Sequence, residues 1–177
     1  TYLDNAHSDS WFLFTALLGT YLIGQNRSRA WNLAGVLMLV ASFWFKQHGA
    51  VFAIGGVLYL TWRDGFHRSI ICWLVAIVFG PLLYLIGGPL LFGPYFHYFT
   101  WQVPRQWSTV DIHTATRLVR LVISKYPFLA VSAMLGTGWT ALRHRSSLTV
   151  WHVQLVFAIL TGVMGALDNG SADNVFI

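Results

Sequence analysis

Charge is what this sequence has least of. Only 10% of its 177 residues are Asp, Glu, Lys or Arg, whereas 56% are hydrophobic; soluble domains carry roughly a quarter charged residues. An ordinary water-soluble fold is therefore not expected. Cysteine is almost missing: Cys72 is the single one and lies inside an apolar block, so the chain by itself builds no disulfide, zinc knuckle or thioredoxin-type pair. No Walker loop, dinucleotide-binding glycine motif, metalloprotease helix or nucleophile elbow is found. Internal repeats and low-complexity tracts are absent too. The start lacks the basic, apolar, small-residue order of a cleavable signal peptide. The chain opens at Thr1 and stops within the apolar run Val175-Phe176-Ile177, which reads as a piece cut from something longer.

The apolar residues come in long blocks separated by short basic loops. The expected fold is all-α: a polytopic transmembrane helix bundle of about six spans, at residues 10–24, 30–45, 49–62, 69–92, 126–142 and 148–167, forming one partial transmembrane domain over 1–177. The first three are short for a perpendicular crossing and must borrow flanking residues or end beside a wet cavity. Gly80-Pro81 and Gly87-Gly88-Pro89 should kink the fourth helix or end it early.

The net charge of +5 would suggest nucleic acid in a soluble protein. Here the arginines lie between spans, where they set orientation, and no nucleic-acid partner is expected. Arg27 with Arg29, Arg63 with Arg68, and Arg143 with Arg145 fall in alternate short loops, which places those loops in the cytoplasm. The opposite side then receives the start through Asp9, the Lys46-Gln47-His48 corner, the stretch 93–125 and the tail from Asp168 to Asn174.

Each of these outer segments has a plain structural reading beside a functional one. Ser8 or Asp9 can cap the first helix. Lys46 can be a snorkelling lysine, but an ammonium at membrane depth costs roughly 2.5–3.5 kcal/mol and calls for an anionic partner. Asp111 can start a surface helix with Arg117, Arg120 and Ser124 on one face and Leu118, Leu121 and Val122 on another, an interfacial amphipathic helix in the outer loop. The aromatic run from Tyr95 to Trp101 reads as an interfacial belt or a stacking surface. His7, His48, His97 and His113 share the outer side, yet no two have the i, i+4 spacing of a helical metal pair, so no metal site is assigned. His152, within a span, reads as hydrogen-bonded between helices.

Asp9-Ser10 entering a span, Phe45-Lys46-Gln47-His48-Gly49 between two short spans, Gly93-Pro-Tyr-Phe-His97 in a long outer loop and Gly170-Ser-Ala-Asp-Asn174 before an apolar start follow one another in that order. Together they resemble multi-pass glycosyltransferases of the GT-C type, in the branch related to protein mannosyltransferases and lipid A aminoarabinose transferases. The resemblance implies transfer of a sugar from a polyprenyl-phosphate carrier to a lipid, glycan or protein acceptor. Transfer would occur at the non-cytoplasmic face, in the inner membrane if the source is bacterial, with inversion at the anomeric carbon. Lys46 matches the lysine that holds the carrier phosphate, Asp9 an acidic position lining the same cavity, and Asn174 a polar position before the last conserved span.

Gln47 and His48 would flank the donor, although they depart from the lysine-glycine-proline form of that corner and leave the sugar unspecified. His97, Arg105, Asp168 and Asp173 are further cavity candidates. No cofactor is called for, and a divalent cation is compatible. The family's general base belongs to an outer loop upstream of Thr1, so this chain is expected to be inactive alone. A transporter or flippase for lipid-linked saccharides, or a structural membrane subunit, are the alternatives.

Overall fold

The computed structural model describes residues 2–102, 113, 116, 120, 124, 127–143 and 147–166, and the regular structure among them is all helical. Helix α1 spans Tyr2–Gly24, α2 Arg29–Phe45, α3 Gly49–Asp64 and α4 Phe66–Ile77. Helix α4 continues through π-helical turns over Val78–Gly87 into α5, Gly88–Phe92. After a further π-helical turn at Tyr98–Gln102 come α6, Pro127–Arg143, and α7, Val150–Ala166. The chain divides into two compact units, Thr1–Pro94 with Thr149–Ala158, and Tyr95–Leu148 with Ile159–Ile177. Of the surface helix expected after Asp111, only residues 113, 116, 120 and 124 are described, and each is helical; the rest lies outside the described residues.

Among the described residues one helical run, Phe66–Phe92, is long and apolar enough to cross a membrane. Helix α2 and the stretch Val150–Gly162 are apolar but shorter. A helix the length of α2 rises about 25 Å, less than the roughly 30 Å of a hydrocarbon core. Along the long run Leu74, Phe79, Leu82, Leu85 and Ile86 are exposed, a continuous apolar surface rather than scattered single residues.

The first helix corrects one expectation. It begins at Tyr2, so Ser8 and Asp9 lie inside it rather than at its cap. Nothing between Tyr2 and Asp9 is Gly or Pro, and a helix need not stop where its apolar stripe does. Its other end follows the usual chemistry. Asn26 takes the left-handed conformation (φ 49°) that asparagine tolerates, and Ser28 then caps α2, its Oγ accepting from the Trp31 N–H at 3.4 Å.

The break near Gly80-Pro81 has its expected cause. Pro81 has no N–H, and its ring would meet the Ile77 carbonyl in a regular α-helix; the backbone widens into π turns, with Gly80 at φ −89°, ψ −108°. The path bends but does not end. At the bend the Trp44 indole N–H donates to the Phe79 carbonyl at 2.8 Å, tying the long run to the end of α2.

Helices α1 and α2 meet backbone to backbone. A Cβ on Gly19 would stand 2.7 Å from the Gly35 carbonyl oxygen, and one on Gly35 would stand 2.8 Å from that of Gly19, so neither position accepts a side chain. Such close crossings are how helices pack where the surroundings are as apolar as their own side chains. Around them lie Ile23, Val36, Leu39, Val57, Leu60 and Val150, all at most 1% exposed. Buried hydroxyls satisfy themselves on their own helices: Thr20 donates to Ala16 O at 2.8 Å and Ser42 to Leu39 O at 2.6 Å, which lets them sit inside without an orphaned group. His152 behaves locally as well, in place of the expected bond between helices. Its Nδ1 accepts from the Thr149 N–H at 3.2 Å, in the manner of a capping box at the start of α7.

The loops at the other ends of α1 and α3 are held by Arg63. Its Nε and Nη2 each donate to the Asp64 carboxylate at 2.7 Å, and Nη1 reaches Ile23 O at 3.4 Å. This fork, and then the charges of Arg68 and Arg29, hold the Asp64 carboxyl below the usual carboxylate range against the opposing effect of its partial burial.

Candidate functional site

The α2–α3 corner is a single tight turn. The Lys46 N–H closes α2 on Ser42 O at 2.9 Å, and the Gly49 N–H returns to Lys46 O at 2.8 Å. Gly49 lies so close to Ser42 and Phe43 that a Cβ there would overlap their backbone. Only glycine lets α3 leave the corner this abruptly, and the turn throws Lys46 to the outside of the bend.

Lys46 Nζ donates to Asp9 Oδ1 at 2.7 Å, joining positions 37 residues apart. The side chains remain 39% and 48% exposed, so the pair is open to a ligand. A half-exposed pair in water would contribute at most about 1 kcal/mol, so it reads better as a positioned cation than as a stabilising strut. Gln47 Nε2 points to the Tyr84 hydroxyl at 3.4 Å. The Tyr84 ring packs against Phe43 and Trp44, with centroids 5.2 and 5.9 Å away. On the other flank Trp11 stacks with Phe45 at 6.1 Å, their planes 21° apart. The corner therefore presents an ammonium, a carboxylate, an amide and a phenol among aromatic rings. Chemically it can hold an anionic group at Lys46 while flat faces receive a less polar or sugar-like neighbour.

Asp9, Lys46 and Gln47 thus come together in the first unit. His48 opens α3 in a helical conformation without capping it through its side chain. His97 belongs to the second unit, where its ring lies 5.6 Å from that of Phe96. Arg105, Asp168, Asp173 and Asn174 lie outside the described residues. Among the described residues no three His, Cys, Asp or Glu side chains gather as a metal ion would require.

Tyr84 was not among the residues expected here. It is a hydroxyl in an apolar block three positions beyond Pro81, and a phenol in such a block wants a polar neighbour; that signal was present. Asn32, a buried amide in the first turns of α2, carried a similar one.

No protein family, characterised protein or solved structure matches this chain.

Proposed function

We propose that this chain is part of a multi-pass membrane glycosyltransferase of the GT-C type, using a polyprenyl-phosphate-linked sugar as donor. In this reading the helices form a bundle of about six crossings, the Lys46 corner faces the non-cytoplasmic side, and the acceptor is a lipid, glycan or protein. The observation that carries it is the placement of Lys46: an ammonium at a glycine-tight corner, held by Asp9 at 2.7 Å and open to solvent. A departing polyprenyl phosphate gains negative charge as the sugar–phosphate bond breaks. A fixed ammonium beside it favours that state over the ground state. Asp9 would keep Lys46 aimed, Gln47 and Tyr84 would offer hydrogen bonds, and Trp11 would offer a face for a sugar ring. The general base is not assigned to any residue here.

The test is transfer from a polyprenyl-phosphate-linked sugar in membrane vesicles carrying the full-length protein of which this chain is proposed to be a part. Lys46→Ala should reduce turnover by about 100-fold or more while leaving membrane insertion intact. Lys46→Arg should keep part of it. Undiminished transfer by Lys46→Ala would remove the mechanism.

A further inference from the structure

At the other end of α2 a cavity of about 240 Å³ opens where α2 and α4 begin and α3 ends. Arg27, Arg29, Asn32, Arg63, Asp64 and Arg68 border it. Its one carboxylate is already taken, since Asp64 accepts two bonds from Arg63. Arg27 lies over the Trp31 ring, 4.9 Å from its centroid. Arg29 and Arg68 make no hydrogen bond or ion pair with a described residue. The first turns of α2 and α4 add their positive dipole ends here, and neither contains an acidic residue. Guanidinium groups beside helix N-termini oppose the dipole instead of complementing it. The arrangement is unfavourable as it stands and becomes favourable when an anion enters.

A second observation, independent of charge, also points to a ligand. Asn32 is 8% exposed, and its Oδ1 is buried without a hydrogen-bond partner. A buried acceptor left unpaired is costly, and because Asn32 lines the cavity, a small turn of its amide would let a ligand hydroxyl satisfy it. The volume suits a headgroup rather than a drug-sized molecule, whose pockets begin near ~300 Å³.

We infer that this cavity binds a hydroxyl-bearing phosphate ester, with Arg29 and Arg68 on the phosphate oxygens and Asn32 Oδ1 accepting from the ester's hydroxyl. The site is separate from the Lys46 corner and does not depend on the glycosyltransferase reading. The ester can be the headgroup of a membrane lipid or a free metabolite, and the chemistry is the same.

The experiment is calorimetric titration of the whole chain in detergent and phosphate-free buffer. The probes are inorganic phosphate, glycerol 3-phosphate and dihexanoyl phosphatidylglycerol. At least one ester should bind saturably and more tightly than inorganic phosphate. Binding of the short-chain lipid alone identifies a lipid headgroup; equal binding of glycerol 3-phosphate identifies a soluble ester. Either supports the site. Arg29→Gln and Arg68→Gln, both at exposed positions, should each weaken ester binding about tenfold, and Arg68→Lys should restore part of it. Asn32→Leu should weaken ester binding but not that of inorganic phosphate. Should that variant prove unstable, Asn32→Asp keeps the shape and should abolish binding by repulsion. Absence of saturable binding by every probe overturns the inference, as does ester binding indifferent to both arginine substitutions.

Discussion

At the C-terminal end of α2 one cation meets one carboxylate, with Trp11, Phe43, Trp44, Phe45 and Tyr84 around them. At its N-terminal end four arginines share a single carboxylate around a cavity, with the unpaired Asn32 oxygen beside them. The same helix thus carries a charge-balanced, aromatic end and a charge-unbalanced, polar end about 25 Å apart. The presence of a cation does not distinguish them, because both ends carry one. What differs is whether the protein supplies the counter-charge itself. Where it does, the cation is held by a carboxylate; where it does not, positive charge is left in excess among the described residues.

The comparison breaks most readily at Lys46. The loss of about 100-fold in transfer expected for Lys46→Ala assigns the chemistry to the balanced end alone, and the vesicle assay measures it. A second break is Gly35→Val. Its side chain must enter the α1–α2 crossing, where the Gly19 carbonyl and Ile23 leave no room. The expected cost is about 2–3 kcal/mol, seen as a lower melting temperature in detergent. Since α1 carries Asp9 and Lys46 caps the end of α2, donor use should fall with it; a melting temperature equal to that of the parent means the helices do not cross there.

A gentler substitution sharpens the contrast. Asp9→Asn should alter stability by less than about 1 kcal/mol, because the pair is half exposed, yet it should raise the KM for the donor by letting Lys46 wander. A large fall in stability with unchanged KM would make the pair a strut instead. The smallest effect concerns acid. Because Asp64 ionises below its ordinary value near 3.8 when folded, its pairing with Arg63 stabilises fully above that value. That contribution drains away as pH falls through the lower, folded value. Melting curves taken downward from pH 5 should show an acid-side decline that Asp64→Asn removes.

Much of this architecture is readable from the letters alone, and the reasons are local. Apolar blocks and the Gly80-Pro81 dipeptide locate helices and their bend because backbone sterics act within a turn or two. The Lys46 corner stands out because a cation between apolar blocks has few explanations. Its partner is another matter. Asp9 lies 37 positions away, and no local pattern says which face of α1 will meet the corner. Tyr84 announces itself as a phenol in an apolar block, but its neighbour Gln47 lies 37 positions away, so the pairing is not local either. The crossing at Gly19 and Gly35 is likewise invisible among 16 glycines, because a glycine in a helix announces weakness and only the fold turns it into contact. Asn32 could have been singled out, since an amide in an apolar block is costly to bury. The start of α1 is not legible because the apolar stripe begins near Ser10 while the helix already runs from Tyr2.

The single bond from the Trp44 indole to the Phe79 carbonyl acts as a depth gauge. A run of 27 residues is about 40 Å long, more than a hydrocarbon layer of roughly 30 Å can hold upright. With its middle clipped to the end of α2, the rod cannot slide to adjust. The segment before Phe79 is itself tied to α3, where the Trp73 indole N–H donates to Thr61 Oγ1 at 2.9 Å, so in a bilayer a mismatch in thickness would be taken up after the Gly80 bend, as a change of tilt beside the aromatic corner.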